Sequence, residues 1–451
     1  MRILKNIIFL IAIFCHDQII AQSINKDSII SNIERSILLP NIPDYTVSVT
    51  RFGALGNGRK DCRKAFNKAM EACVAKNGGT IMVPKGVYKI NGPIHFKSYV
   101  NLHLQEGAKL VFGTNPNDYP MVLTSWEGTM LYNYSPLIYG INVRDVAITG
   151  KGTIDGEGHG EWATWKPLER KGKLLSREMN HNEVPVNARR FGKGHYLRPQ
   201  LIQFVSSKHI LIEDVKIEDA PFWCVHLLKS ESITLKGIRY DAQNKNNDGL
   251  DIEHSKNVLI ENIEFNNSDD NIAIKAGRDN DGRNSNQPSE NILVRSCKFK
   301  GLHALVIGSE MSAGVKNVYV FDAEASGYLK RGIYLKTNSD RGGYIKNIHI
   351  ENVNFGNVED AIFMTSNYHG EGNGKYPSKI SDITISKVKF NTVSNAAIVI
   401  EGFPGYEVEN VFINYLDIAH AKNGMTLTNT KNIKLNEVVI GKKQGVPSAV
   451  H

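Results

Sequence analysis

Beyond residue 207 the chain restates one short phrase: a turn residue, then [IV]-x-[IVL], a polar gap, and a second apolar alternation. The opening aliphatics are Ile210, Ile233, Val258, Ile292, Val318, Ile348, Ile383, Val411 and Ile433, separated by 23, 25, 34, 26, 30, 35, 28 and 22 residues. A recurrence of this length is the mark of a stacked array. The second alternation aligns too: WCVHLL from Trp223, DGLDIE from Asp248, DNIAIK from Asp270, HALVIG from His303, RGIYLK from Arg331, DAIFMT from Asp360, AAIVIE from Ala396 and NGMTLT from Asn423. One register kept through eight segments predicts an all-β, right-handed parallel β-helix, in which one aliphatic column is buried and alternate residues face outward. A β-propeller needs four strands in about 40 to 50 residues, and here there is room for two or three.

Upstream, Lys60–Lys76 carries Ala65, Phe66, Ala69, Met70, Cys73 and Val74 at three- and four-residue steps, followed by Gly78-Gly79. This predicts a helix, and a solenoid needs such a cap over its first coil. Met1–Gln22, with Arg2, Lys5 and the apolar run Ile7–Phe14, reads as a signal peptide over 1–21. An exposed leader is expected over 22–45, then a single domain over 46–451. The expected localisation is therefore export, periplasmic or secreted, with no membrane association after cleavage. Residues 157–198 lack the repeat and read as an inserted loop, a candidate cleft wall. Trp162 and Trp165 within it would either stack on sugar rings or pin the loop.

Cys62, Cys73, Cys224 and Cys297 show no CxxC spacing, so neither a metal site nor a dense disulfide framework is implied. A net charge of +8 favours an acidic partner. Nucleic acid fits poorly, because the basic residues are not interleaved with a strip of aromatics.

Chemistry concentrates in 246–277, NNDGLDIEHSKNVLIENIEFNNSDDNIAIKAG. Asp248 aligns over Asp270, and Asp269 lies beside it, so neighbouring coils stacked roughly 4.8 Å apart gather three acids on one face. The same outer column continues through His303 and Arg331, and a second column carries Lys275 and Lys336. Acids beside cations suit cleavage of an anionic substrate: the cations hold its carboxylates while two aspartates share the proton work. Asp279-Asn-Asp-Gly282 lacks the glutamate that a calcium loop requires and reads as a turn.

The set Asn246-x-Asp248, Asp269-Asp270, His303 before Ile-Gly-Ser-Glu, and Lys336, with the N-terminal Arg51-Phe-Gly-Ala-Leu-Gly-Asn-Gly, resembles the polygalacturonases, glycoside hydrolase family 28 of the pectin-lyase-like superfamily. The resemblance covers about residues 46 to 440. It implies inverting hydrolysis of pectic polysaccharide without a metal or other cofactor. It assigns Asp269 as general acid, Asp248 and Asp270 as the pair activating water, and His303 as the histidine tuning the acid. It assigns Lys336 and Tyr368 to substrate binding, and Asn246, Lys275 and Arg331 are expected to join them. Two departures stand out: Leu302-His303-Ala304 replaces Gly-His-Gly, and Tyr334-Leu335-Lys336 replaces Arg-Ile-Lys, leaving Arg331 or Arg341 to supply the missing guanidinium. The altered site and the long loop favour exo-action on a pectic oligomer or on a decorated pectin. The competing readings are a calcium-dependent β-eliminating lyase and a non-catalytic carbohydrate-binding β-helix.

Overall fold

The computed structural model describes residues 26–370 and 372–442; the expected signal peptide lies outside them. The nine aliphatics named above are in register, Ile210 against Ile233, Val258, Ile292, Val318, Ile348, Ile383, Val411 and Ile433 in turn. The second column pairs likewise, Val225 with Leu250, Ile272, Leu305, Ile333, Ile362, Ile398 and Met425. All these pairings are parallel, and the chain winds as a β-helix.

The residue before each aliphatic of the first column explains why the coil bends there. His209, Ser232, Asn257, Asn291, Asn317, Asn347, Asp382, Asn410 and Asn432 all have positive φ, between 52° and 59°. Asn and Asp tolerate this left-handed conformation best among residues with a Cβ. The amides also bond from coil to coil, Asn291 to Asn257 at 3.0 Å, Asn317 to Asn291 at 3.0 Å and Asn347 to Asn317 at 2.7 Å. Inside the coil, Tyr240, Phe265, Phe299, Phe355 and Phe390 form a continuous stack.

Helix α1 (26–36) lies along the outside of the coils. It packs Ile33 with Leu293 and Tyr319, so the stretch expected to be an exposed leader is partly docked. Helix α2 (Arg63–Val74) is the expected cap, burying Ala65, Phe66, Ala69, Met70 and Cys73. The inserted stretch is not a bare loop but holds α3 (Glu161–Trp165) and α4 (Arg170–His181). Its polar sequence conceals the helices, because α4 buries mainly Gly172, Ser176 and Asn180. Trp162 and Trp165 are buried edge-to-face against each other, with Tyr119, Tyr134 and Tyr196 around them, so they pin the insert. Cys62, Cys73, Cys224 and Cys297 are free and buried.

The uneven repeat spacings have a structural meaning. The longest, 34 and 35 residues, contain helix α5 (Asp279–Ser285) and the 366–378 loop. Both follow the same strand column, after Lys275 and Thr365, and so rise on one side of the sheet. An antiparallel hairpin, Met121–Trp126 with Thr129–Tyr134, stands beside them.

Candidate active site

The outward face of the second strand column is the floor of a cleft of about 410 Å³. Its acids come from turns entering successive strands, and three buried amides fix those turns. Asn247 donates to the Ala220 and Phe222 carbonyls, both at 2.8 Å. Asn267 donates to the Asn247 carbonyl at 2.9 Å and to that of Asp270 at 3.1 Å. Asn271 donates to Asn267 Oδ1 at 2.8 Å and to the Lys300 carbonyl at 3.0 Å. Gly301, at φ 143°, faces the Asn267 carbonyl so closely that a Cβ would lie 1.9 Å from it. Any side chain there would displace the acidic turn.

Asp248, Asp269 and Asp270 all line the cleft, with Asn246, Lys275, Lys336 and Tyr368. Asp270, in register with His303 and Arg331, is held on both oxygens. His303 Nδ1 lies 2.5 Å from Oδ1, and the Lys336 ammonium donates to Oδ2 at 3.0 Å. His303 therefore bonds Asp270, not Asp269 beside which the resemblance put it. Asp269 instead accepts from Asn246 Nδ2 at 3.4 Å and from the Asp270 amide at 3.1 Å.

These surroundings separate the acids. Burial and then the Asp270 charge raise Asp269. Burial acts on Asp270 in the same sense, but the Lys336 charge and the His303 hydrogen bond overcome it and hold Asp270 well below the carboxylate range. Asp248 is pushed well up by burial, then by Asp251, Asp269 and Asp270. A carboxyl whose pKa is raised thus stands next to one whose pKa is lowered, the separation on which acid/base cleavage draws.

Oxygen or nitrogen atoms of Asp269, Asp270 and His303 approach within 4.8 Å of one another, close enough to suggest cation ligands. The Lys336 ammonium already occupies Asp270 Oδ2, and its charge opposes a divalent cation there. The donor set fits ion pairing better than coordination.

Below the acids lies a buried charge network. Lys275 is 3.5 Å from Asp251 and 3.3 Å from Glu310, and its ammonium sits 4.8 Å from the Trp223 ring. Arg278 pairs with Glu310 at 2.5 Å. In sequence Asp251 reads as one more outward position in DGLDIE, yet it is fully buried.

The insert reaches this site through Arg198, fully buried, which donates to Glu169 at 3.2 Å and to Asn246 Oδ1 at 2.8 Å. Asn246 in turn holds Asp269. One wall is α4 and the hairpin, tied by Lys173 and Arg177 to Glu127 at 2.7 and 3.3 Å.

Arg331 does not join the cleft lining. Its guanidinium lies 4.4 Å from both the Tyr334 and Phe363 rings and 3.3 Å from Asp360, since the neighbouring outward positions are aromatic. Tyr334 packs edge-on to His303 at 5.3 Å and orients it. Arg341 is bound to Asp279 at 2.6 Å, outside the cleft.

The model for the family described as Glycosyl hydrolases family 28 matches residues 73–439. The chain belongs to this family. A probable polygalacturonase of Vitis vinifera is 29% identical over 83% of this chain and 74% of its own length. An exo-poly-alpha-D-galacturonosidase of Dickeya chrysanthemi is 27% identical over 79% of this chain and 64% of its own. Among solved structures, a hyperthermoactive exopolygalacturonase from Thermotoga maritima superposes with a TM-score of 0.88 at 37% identity, covering 92% of this chain and 96% of that one. This family 28 protein is a glycosidase of the pectin-degrading kind.

Proposed function

We propose that the protein hydrolyses galacturonan from a chain end, with inversion, after export from the cytoplasm. The observation that carries the chemistry is the pairing of Asp269, half-buried and raised by desolvation and by the Asp270 charge, with Asp270, lowered by Lys336 and His303. In this reading a water held by Asp248 and Asp270 attacks the anomeric carbon and gives its proton to Asp270. The glycosidic C–O bond breaks as Asp269 protonates the leaving oxygen. Lys336 and Tyr368, both lining the cleft, meet the substrate carboxylate.

Exo-action is supported by the wall of α4 and the hairpin. Asn180 extends it by donating to Thr129 and to the Arg278 carbonyl, and Arg189 by pairing with Asp281 at 2.6 Å. The names of the Thermotoga and Dickeya relatives point the same way.

Incubation with defined oligogalacturonates in EDTA tests the reading. Expected are short saturated products released from one end, with the α-linked substrate giving a β-anomer by NMR. An unsaturated, ultraviolet-absorbing product that needs calcium would overturn it in favour of elimination, and binding without turnover would favour a recognition module.

A further inference from the structure

Beside the cleft lies a second, smaller cavity of about 180 Å³, and Arg177 and Arg278 line both. The two differ in charge. The cleft sets five Lys and Arg against five Asp and Glu, whereas the annex sets five against two. Both annex acids are engaged internally: Asp279 holds Arg341 at 2.6 Å, and Asp340 accepts from the backbone amides of Asn373 and Lys375, each at 2.8 Å.

Two cations are left over. Arg283 bonds the Asp340 and Arg341 carbonyls at 2.7 and 3.0 Å and Asn280 Oδ1 at 2.6 Å, and its guanidinium lies 3.9 Å from the Tyr376 ring. Lys375 lies 5.3 Å from the same ring. Neither has a carboxylate partner among the described residues. Tyr376 thus gathers two positive charges in a recess that opens beside the acids, and the missing counter-ion points to a ligand that brings its own.

We propose that the annex is an anion subsite that takes the carboxylate of a second uronate unit, next to the sugar held in the cleft. Resting on the galacturonan reading above, the proposal narrows the substrate to oligomers whose neighbouring unit carries a free, unesterified carboxylate. A neutral sugar or a methyl ester there would leave the two cations uncompensated.

The test measures binding of galacturonate monomer, dimer, trimer and tetramer by calorimetry, in full-length protein carrying Asp269→Asn to stop turnover. Arg283→Gln and Lys375→Gln are compared in that background. The exposed Lys375 side chain makes no hydrogen bond among the described residues, which keeps the test decisive should Arg283→Gln disturb α5. Expected is one length step at which affinity rises about ten-fold, the effect of one charge-assisted contact. That step should shrink at least three-fold in Lys375→Gln, more in Arg283→Gln, and should vanish for the methyl-esterified oligomer. Parallel affinities at every length, or no length step at all, would overturn the proposal. If the wild-type protein cuts no galacturonan, the functional reading fails first; if it cuts normally while the affinities run parallel, the annex alone is refuted.

Discussion

Lys336 Nζ stands 3.0 Å from Asp270 Oδ2, although the two residues lie two coils apart along the β-helix. The pair fixes a carboxylate in its ionised form where burial alone would protonate it. Lys336→Met should therefore move the acidic limb of the kcat/KM profile to higher pH and lower activity about 100-fold, with partial recovery in Lys336→Arg. The stability effect has the same origin. Because folding depresses the Asp270 pKa, its contribution is present above the ordinary aspartate range near 3.9 and is lost as pH falls toward the folded value. Acid unfolding followed by circular dichroism should therefore show stability falling less steeply with decreasing pH, below about 3.9, in Asp270→Asn than in the wild type.

Asp269 is raised by burial and by its ionised neighbour, so activity should decline on the basic side as Asp269 loses its proton. Asp269→Asn should lower turnover of polygalacturonate by about 10² to 10⁴. It should keep most of the rate on an aryl galacturonide with a good leaving group, which needs no acid. Comparing the two substrates by reducing-end and chromophore release checks the assignment.

Lys275 neutralises Asp251 and Glu310 in a fully buried setting. Lys275→Met leaves Asp251 without its cation, while Glu310 keeps Arg278, and should destabilise the fold by about 3 to 5 kcal/mol. Adding Asp251→Asn should recover part of the loss, because the second change removes one stranded charge. Denaturant melts of the two single variants and the double variant measure the coupling.

Trp162 is buried at the centre of the aromatic cluster that seats the insert. Trp162→Ala should cost about 3 to 5 kcal/mol. Since Arg198 and Asn246 link the insert to Asp269, kcat should also fall. Hydrogen exchange should show the loss of protection centred on residues 157–198.

Much of this was legible because a β-helix writes its register directly into the chain. Ile210 to Ile433 predict one column, and the outer strand positions place Asp248, Asp270, His303 and Lys336 near one another without further information. What escaped depended on side-chain direction and on contacts between distant segments. Arg331 has the expected register but turns between Tyr334 and Phe363. Helix α4 is hard to see because its fully buried positions are the small or polar Gly172, Ser176 and Asn180, with only Leu175 and Met179 packing beside them. Arg198 and Asp251 are ordinary charged residues in sequence, and only their burial marks them. The uneven spacing carries a further signal: the 34- and 35-residue intervals mark where α5 and the 366–378 loop stand.

Those walls have a consequence for how this scaffold can change. The floor is shared by every coil, so a substitution there propagates through the stack, whereas α4, α5 and the hairpin are grafts that interrupt single coils. On the exo-acting reading proposed above, shortening 170–189 would open that side of the cleft to a longer chain. Such an enzyme would attack polymer in mid-chain, dropping solution viscosity quickly for few bonds cut. On that reading the walls set the mode of attack and the floor sets the chemistry, joined through Arg198 and Asn246.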